Sequence, residues 1–556
     1  MGESAGRVLN NADLTSIIFS NLKEMALGDA GFDMEPVHPQ PIRISGPWKG
    51  TFARLARTNR TMFHASIHVL WETMTSLEPF FGTLLLADLD DNMGGFVHPL
   101  AYSFKQPKKK EWKRFMLYSI HTKVLVLDDL LSSSGIKSEW LAYLVASKNM
   151  PKTLFPAVKR LFLSSIDNLS IFVASSVVPS LHFIRLSLGN TQEAQTACHA
   201  LVASIAQNTR ILTGLRFISP VWPKSLQYIF GLRAVTYLHL QLNARAIPFP
   251  VIPALNGLRS LQKLVIRGGH RIPDHKGMKS NPSSSLKHLK EVHAEGDGRF
   301  QVILAKALAL CSLKELKLEF TSAEDDEGMC YIPPVVALYA TGNTHLQHLD
   351  ASCSYPRMRP DRIAEVWTKH PEYADYRRFL AEIACMGPRL RCLNLVKIPF
   401  FSTTILQELL ALAQQMPTLE SLALHAISLT SDNLILPRLS ILEDMAKTNP
   451  RLLVLETQFN FSQVPGDDPT DSVSSHNLEK ITLHSGEGYH TGCYPADELQ
   501  LAQYLDRLFP RLKVVEERWT TINGEKRAGP GNVQRYLHSF QDVRARMARE
   551  SSRYVA

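Results

Sequence analysis

Apolar positions recur along this chain in one phrase: an apolar residue, then two more three and five places later. Leu419-x-x-Leu422-x-Leu424 is its fullest copy. In an extended strand alternate side chains share a face, so the last two point one way. The first enters from the preceding turn toward the same side. The phrase returns as Val158/Leu161/Leu163, Leu181/Ile184/Leu186, Leu212/Leu215/Phe217, Val235/Leu238/Leu240 and Leu261/Leu264/Ile266. It continues as Leu289/Val292/Ala294, Leu313/Leu316/Leu318, Leu346/Leu349/Ala351 and Leu390/Leu393/Leu395. It closes with Leu452/Leu455/Thr457, Leu478/Ile481/Leu483 and Leu512/Val515/Glu517, and Val124–Leu127 reads as an early, degenerate copy. Proline stands two places ahead of the leading residue at Pro156, Pro179, Pro388, Pro417, Pro450 and Pro510. Proline cannot continue a helix and biases the residue before it toward extended backbone, so each proline ends one element and opens the next strand. Between strands, Thr404–Met416 and Ala496–Phe509 carry i, i+3, i+4 apolar stripes that predict helices packed on one side against a sheet.

Most steps between copies fall between about 23 and 34 residues, overlapping the spacing of leucine-rich repeats. One such unit exposes an apolar face that it cannot bury alone, and stacking makes a continuous core. The pattern therefore predicts an α/β solenoid over residues 116–523, a ribonuclease-inhibitor-like leucine-rich-repeat horseshoe. The longer step from Leu346 to Leu390 must hold an insertion, read as helical over Asp361–Met386 with Ile363, Trp367, Phe379 and Ile383 inward. The tail, 524–556, begins with a break at Gly524–Gly531. An amphipathic helix, Asn532–Arg549, follows, with Val533, Leu537, Phe540, Val543 and Met547 as its stripe. A cap over the last repeat is the expected role. A membrane-surface helix or a basic partner-binding tail is the other reading.

Residues 1–78 do not carry the phrase. Val8 and Leu9 precede a helical stretch, Asp13–Leu22, with Leu14, Ile17, Ile18 and Leu22 on one stripe. A polar, proline-bearing insertion covers 23–50, and Phe52–Trp71 resumes the helical pattern through Leu55, Phe63, Ile67, Leu70 and Trp71. This order of residues, closed by Leu70-Trp71 and followed by leucine-rich repeats, resembles the F-box/leucine-rich-repeat proteins of fungal type. It departs from their pattern at Asn10, where proline commonly follows the first leucine, and in the length of the insertion. The resemblance implies an all-α F-box-like bundle that docks a Skp-type adaptor through Val8, Leu9, Leu14, Ile17, Ile18, Leu55, Leu70 and Trp71. Through that adaptor it implies a cullin-RING ubiquitin ligase. Read without the resemblance, the same residues are the core of a small capping bundle.

Residues 79–115 form a connector with the basic cluster Lys108–Lys110, Lys113 and Arg114, read as a solvated helix start or an import signal. Lys plus Arg number 61 against 52 Asp plus Glu, a net charge of +9, spread without a long basic stripe that would point to nucleic acid. An apolar content of 45% with 20% charged residues describes a folded, water-soluble chain. No run approaches the roughly 18 apolar residues that span a membrane. Seven cysteines without a C-x-x-C pair read as reduced thiols, placing the chain in the cytoplasm or nucleus. The sequence has no phosphate-binding glycine loop and no H-E-x-x-H, and Gly486-Glu-Gly488 lacks dinucleotide spacing. His64 and His68 stand four apart, a metal-binding interval, but no further ligand lies near.

Residues alternating with the buried leucines are expected to face outward on the sheet. In the first half these include Arg160, Phe162, Phe183, Arg185, Arg216, Tyr237, His239, Val265 and Arg267, and in the second half Glu315, Asp350, His425 and His484. The early set is basic and aromatic and the later set more acidic. Aromatic and Arg residues anchor interfaces, which makes Phe183, Arg185, Tyr237 and Arg267 the candidate substrate-binding residues. The expectation is a non-enzymatic substrate receptor of an SCF-type ligase, without cofactor or metal, binding a protein target rather than nucleic acid or membrane. The alternative is a leucine-rich-repeat scaffold or inhibitor whose N-terminal helices serve only as a cap.

Overall fold

The structure, a computed structural model, describes residues 11–28, 46–77, 79–80, 84, 107–127, 147–164, 168–187, 189, 191–221, 223–242, 255, 257–268, 286–308, 311–321, 332–343, 345–354, 376–400, 403–428, 434–461, 463–465, 476–484, 497–520, 526–529 and 532–555. The chain divides into two compact units, Met1–Pro248 and Phe249–Ala556.

The first unit opens with three helices, α1 (Ala12–Gly28), α2 (Gly46–Ala56) and α3 (Arg60–Glu72). The Asn11 side chain accepts from the N–H groups of Asp13 and Leu14 and starts α1. The helix runs beyond Leu22, where the periodicity ends it, because Lys23 through Leu27 are all good helix formers. The single helical pattern expected from Phe52 to Trp71 is broken instead: Asn59 caps α3, its side chain accepting from Met62 N–H at 2.8 Å. Phe19, Phe52, Met62 and Val69 form the bundle core, with Leu22, Trp48, Leu55, Ala65 and Leu70 packed against it.

α3 passes directly into β1 (Thr73–Met74), a strand without the leucine phrase, which pairs in parallel with β2 (Val124–Leu127). Between them α4 (Lys109–Ser119) buries Trp112 and Phe115, and the basic cluster is its solvated first turns. Then come β3 (Arg160–Leu163), α5 (Asn168–Val177), β4 (Phe183–Leu186), α6 (Gln192–Asn208), β5 (Gly214–Val221), α7 (Pro223–Ile229) and β6 (Tyr237–Leu242). Each strand pairs in parallel with the next, in chain order. The register sets Leu125, Leu161, Ile184, Leu215 and Leu238 in one buried row. The degenerate copy at Val124–Leu127 is thus a full member of the ladder.

The second unit repeats the plan with β7 (Lys263–Arg267), β8 (Glu291–Gly296), α8 (Gly298–Leu308), β9 (Glu315–Thr321), α9 (Ile332–Gly342) and β10 (His348–Ser354). It continues with α10 (Tyr376–Met386), β11 (Cys392–Phe400), α11 (Ile405–Ala413), β12 (Ser421–Ser428), α12 (Ile441–Thr448) and β13 (Val454–Gln458). The last elements are β14 (Lys480–His484), α13 (Glu498–Leu508), β15 (Val514–Thr520), β16 (Lys526–Gly529) and α14 (Asn532–Val555). From β7 to β15 the strands are parallel neighbours in chain order, and Leu264, Val292, Leu316, Leu349, Leu393, Leu422, Leu455, Ile481 and Val515 align in one row. The leading leucines close tight turns: Leu390 N–H donates to Gly387 O, Leu419 to Met416 O and Leu452 to Asn449 O. Pro388, Pro417 and Pro450 sit inside those turns, which need no amide from them. Each unit is therefore a leucine-rich-repeat α/β solenoid segment.

Two expectations change at the end of the chain. Part of the expected break at Gly524–Gly531 is a strand, with β16 antiparallel to β15. In α14 only the first half of the stripe is covered: Val533 and Leu537 are buried, while Val543 and Met547 are exposed. Of the Asp361–Met386 insertion, Tyr376–Met386 is helical with Phe379 and Ile383 buried, and Ile363 and Trp367 lie outside the described residues.

Candidate functional site

Two surfaces of the first unit stand out, one on the bundle and one on the sheet. α1 turns Thr15 and Phe19 inward, and the Phe19 ring lies 5.7 Å from Phe52. Its opposite side carries Leu14, Ile17, Ile18 and Met25 at 42, 57, 40 and 61% exposure. Spacings of three, one and seven keep these four residues on one helical stripe. Lys23 Nζ, 2.5 Å from Glu72 Oε2, ties α1 to the end of α3, and Lys123 Nζ reaches the other oxygen at 3.3 Å. Burial alone would raise the Glu72 carboxyl; the two lysines outweigh it and hold the group below its ordinary value.

The remaining adaptor-facing candidates have a different placement. Leu55 and Leu70 pack on the bundle core. Trp71 stacks on Tyr118 at 4.5 Å and meets Phe80 edge-on at 4.7 Å, and Phe80 in turn touches Phe115 and Phe155. These three residues serve as core and as the joint between bundle and first repeats. Val8 and Leu9 lie outside the described residues. Met25, which the periodicity missed because it ends the helix too early, extends the exposed stripe.

On the sheet, alternation sets Ile184 and Leu186 into the core of β4 and leaves Phe183 and Arg185 on the other face. The register builds two rows on that face, Arg160–Phe183–Gly214–Tyr237 and Phe162–Arg185–Arg216–His239. Gly214 is what allows the first row to close. A Cβ there would stand 2.5 Å from Phe183 Cδ2, so the Phe183 ring lies across the glycine. That ring is 5.9 Å from Phe162 and 6.3 Å from Tyr237. Phe162 and His239 share the face but are only 4% and 1% exposed. The expectation that every alternating residue is open to solvent fails there, and at Val265 and His425, which are 2% and 5% exposed. Phe183, Arg185 and Tyr237 are brought together.

Arg267 lies on β7 of the second unit, where its Nε is 2.7 Å from Glu295 Oε2 on the adjacent strand. Three more such pairs stand on that unit's face: Lys263 meets Glu291 at 2.5 Å, Lys480 meets Glu516 at 2.5 Å, and His484 Nε2 meets Glu456 Oε1 at 2.9 Å. The His425 and His484 rings stack at 5.3 Å. Burial, reinforced by Glu319 and Glu315 and opposed by Lys317, pushes the Asp350 carboxyl up. Among the described residues no group of three or more His, Cys, Asp or Glu is arranged to hold a metal ion, and no helix is long and apolar enough to cross a membrane.

No protein-family model and no curated protein matches the chain. Among solved structures it is similar to the TLR13–ssRNA13 complex, at 16% identity and a TM-score of 0.34, over 66% of this chain and 48% of that one. The chain thus covers less than half of that protein. It is also similar to the internalin InlF of Listeria monocytogenes str. 4b F2365 (9% identity, TM-score 0.29, 69% of this chain and 89% of that one). A third is the leucine-rich repeat-containing protein LegL7 of Legionella pneumophila (12% identity, TM-score 0.27, 71% and 93%). What makes each unit here a leucine-rich-repeat array is its own strand ladder and register.

Proposed function

We propose that the chain is a non-enzymatic protein-binding receptor whose N-terminal bundle docks a Skp-type adaptor, and through it a cullin-RING ubiquitin ligase, while the repeats hold a target protein. The observation that carries this reading is the stripe Leu14, Ile17, Ile18 and Met25, left uncovered on α1 by a bundle that has a separate core. An amphipathic helix with an open apolar side laid into a partner's groove is a recurring mode of recognition. The order of the chain, bundle then repeats, is that of the F-box/leucine-rich-repeat proteins it resembles. In this reading the chain makes and breaks no bond. Holding a target lysine beside a charged conjugating enzyme raises its effective concentration, and that is the catalytic contribution. The reading places the protein in the cytoplasm or nucleus.

The test is co-purification of the full chain with a Skp-type adaptor, beside a Leu14→Asp/Ile18→Asp variant. Both residues are exposed, so the variant keeps the wild-type circular dichroism spectrum. The expected result is a one-to-one complex whose affinity falls at least 100-fold in the variant. A well-folded chain that captures no adaptor leaves the second reading, a leucine-rich-repeat scaffold or inhibitor with the bundle as a cap. The packing of Leu55, Leu70 and Trp71 favours that second reading.

A further inference from the structure

The open sheet face of the first unit differs in kind from that of the second. No strand from β1 to β6 contains an Asp or Glu. Arg160, Arg185 and Arg216 nevertheless lie on three adjacent strands of one face, and Arg185 and Arg216 are direct cross-strand partners. Like charges set opposite each other in a ladder destabilise it. In the second unit Lys263, Arg267, Lys480 and His484 each meet a carboxylate from the same face, and Lys317 stands beside Asp350 there. In the first, Arg160 and Arg185 have no ion pair and no hydrogen bond from their side chains among the described residues. Over β3 and β4 cations and rings alternate in both directions: Arg160 beside Phe183 along one row, Phe162 beside Arg185 along the next.

We infer that this face binds an extended acidic peptide segment in which carboxylates alternate with apolar side chains. The inference rests on the receptor reading and names the chemical class of its target. Guanidinium groups match carboxylates in a planar, bidentate geometry. The half-buried rings of Phe183 and Tyr237, 6.3 Å apart and backed by the buried Phe162, form one apolar patch beside the cations. An extended peptide presents alternate side chains on one side, about 6.6 Å apart, which is the scale of such a checkerboard. From β3 to β6 the face is about 14 Å wide, room for four or five extended residues. Single-stranded nucleic acid is the less fitting occupant, since it calls for a continuous track of cations along its backbone. Here rings separate Arg160 from Arg185, and the Phe183 ring has one side closed against Gly214.

The test is fluorescence anisotropy of the full chain with a labelled eight-residue peptide of glutamate alternating with leucine or phenylalanine. It is compared with the same peptide carrying lysine for glutamate and with an eight-nucleotide oligothymidylate. The expected result is saturable, salt-sensitive binding of the acidic peptide alone. Arg160→Ala/Arg185→Ala and Phe183→Ala should each weaken it at least tenfold. Arg160→Lys/Arg185→Lys should recover part of the loss, as a merely structural defect would not. No binding of the acidic peptide, equal binding of the lysine peptide, equal binding by the double alanine variant, or tighter binding of the oligonucleotide would each overturn the inference. Adaptor capture is measured on the same preparations. Loss of peptide binding with adaptor capture intact separates failure of this face from failure of the receptor reading.

Discussion

Most buried polar residues that space the repeats have a partner, and Tyr339 shows what happens without one. Asn343, at the end of α9, accepts from Leu313 N–H at 3.0 Å and donates to Tyr339 O at 2.8 Å, joining two consecutive turns. Asn449 does the same farther along, donating to Ala413 O and Met416 O at 2.9 Å each, and its own carbonyl meets His476 Nε2 at 2.8 Å. These amides occupy buried places where the turn carbonyls and N–H groups would otherwise go unsatisfied. The Tyr339 hydroxyl is fully buried and has no hydrogen-bond partner among the described residues, and burial pushes its ionisation up. An unsatisfied buried polar group costs about 1–3 kcal/mol. Tyr339→Phe should therefore raise the urea midpoint, a gain of about 1 kcal/mol, whereas Asn343→Ala should lower stability by roughly 1–3 kcal/mol. A Tyr339→Phe variant less stable than the parent would show that the hydroxyl is bonded after all.

The joint between bundle and first repeats contains two histidines in contact. His68 on α3 and His121 after α4 place their rings 4.0 Å apart. Burial lowers both, with the charge of Lys123 adding for His68 and that of His68 for His121, which falls to about 4; His64 contributes to each. Glu72 opposes the shift at His68 but is engaged by Lys23 and Lys123. A histidine lowered on folding binds fewer protons folded than unfolded, so stability rises with pH through that range. The contribution is complete above about 6.5 and is lost as pH falls toward 4, before the Glu72 contribution fades. Urea midpoints should drop between pH 7 and 5, and His68→Gln/His121→Gln should flatten that slope. An unchanged slope in the variant would remove the pair from the account. Periodicity along the chain located these helices but not their inner sides. It grouped Leu14, Ile17, Ile18 and Leu22, while the bundle buried Phe19 and Thr15, because α1 offers two apolar sides and only the neighbours choose between them. It also ran through Asn59, whose capping role depends on one side-chain hydrogen bond.

In the two units the leucine rows were legible because the spacing of three and two recurs within each copy, and the register then aligns them. The checkerboard of Arg160, Phe162, Phe183 and Arg185 was not, because its members come from copies 23 residues apart and become neighbours only through strand pairing. A net charge of +9 likewise hides a face without strand carboxylates in one unit and a face carrying cross-strand ion pairs in the other. β1 and β16 escaped for the opposite reason: neither carries the phrase. The same stacking decides how the second unit should fail. Each strand there contacts only its neighbours, so stability is close to a sum of unit and interface contributions, and damage should stay near its origin. Leu422 sits between Leu393 and Leu455 and is fully buried. Leu422→Ala leaves a cavity and should cost roughly 2–5 kcal/mol. Under native conditions, hydrogen exchange should lose protection most at β11 to β13 and progressively less toward β7 and β8. Equal loss of protection from β7 to β15 would mean that the unit opens as one cooperative block, and the nearest-neighbour description would then fail.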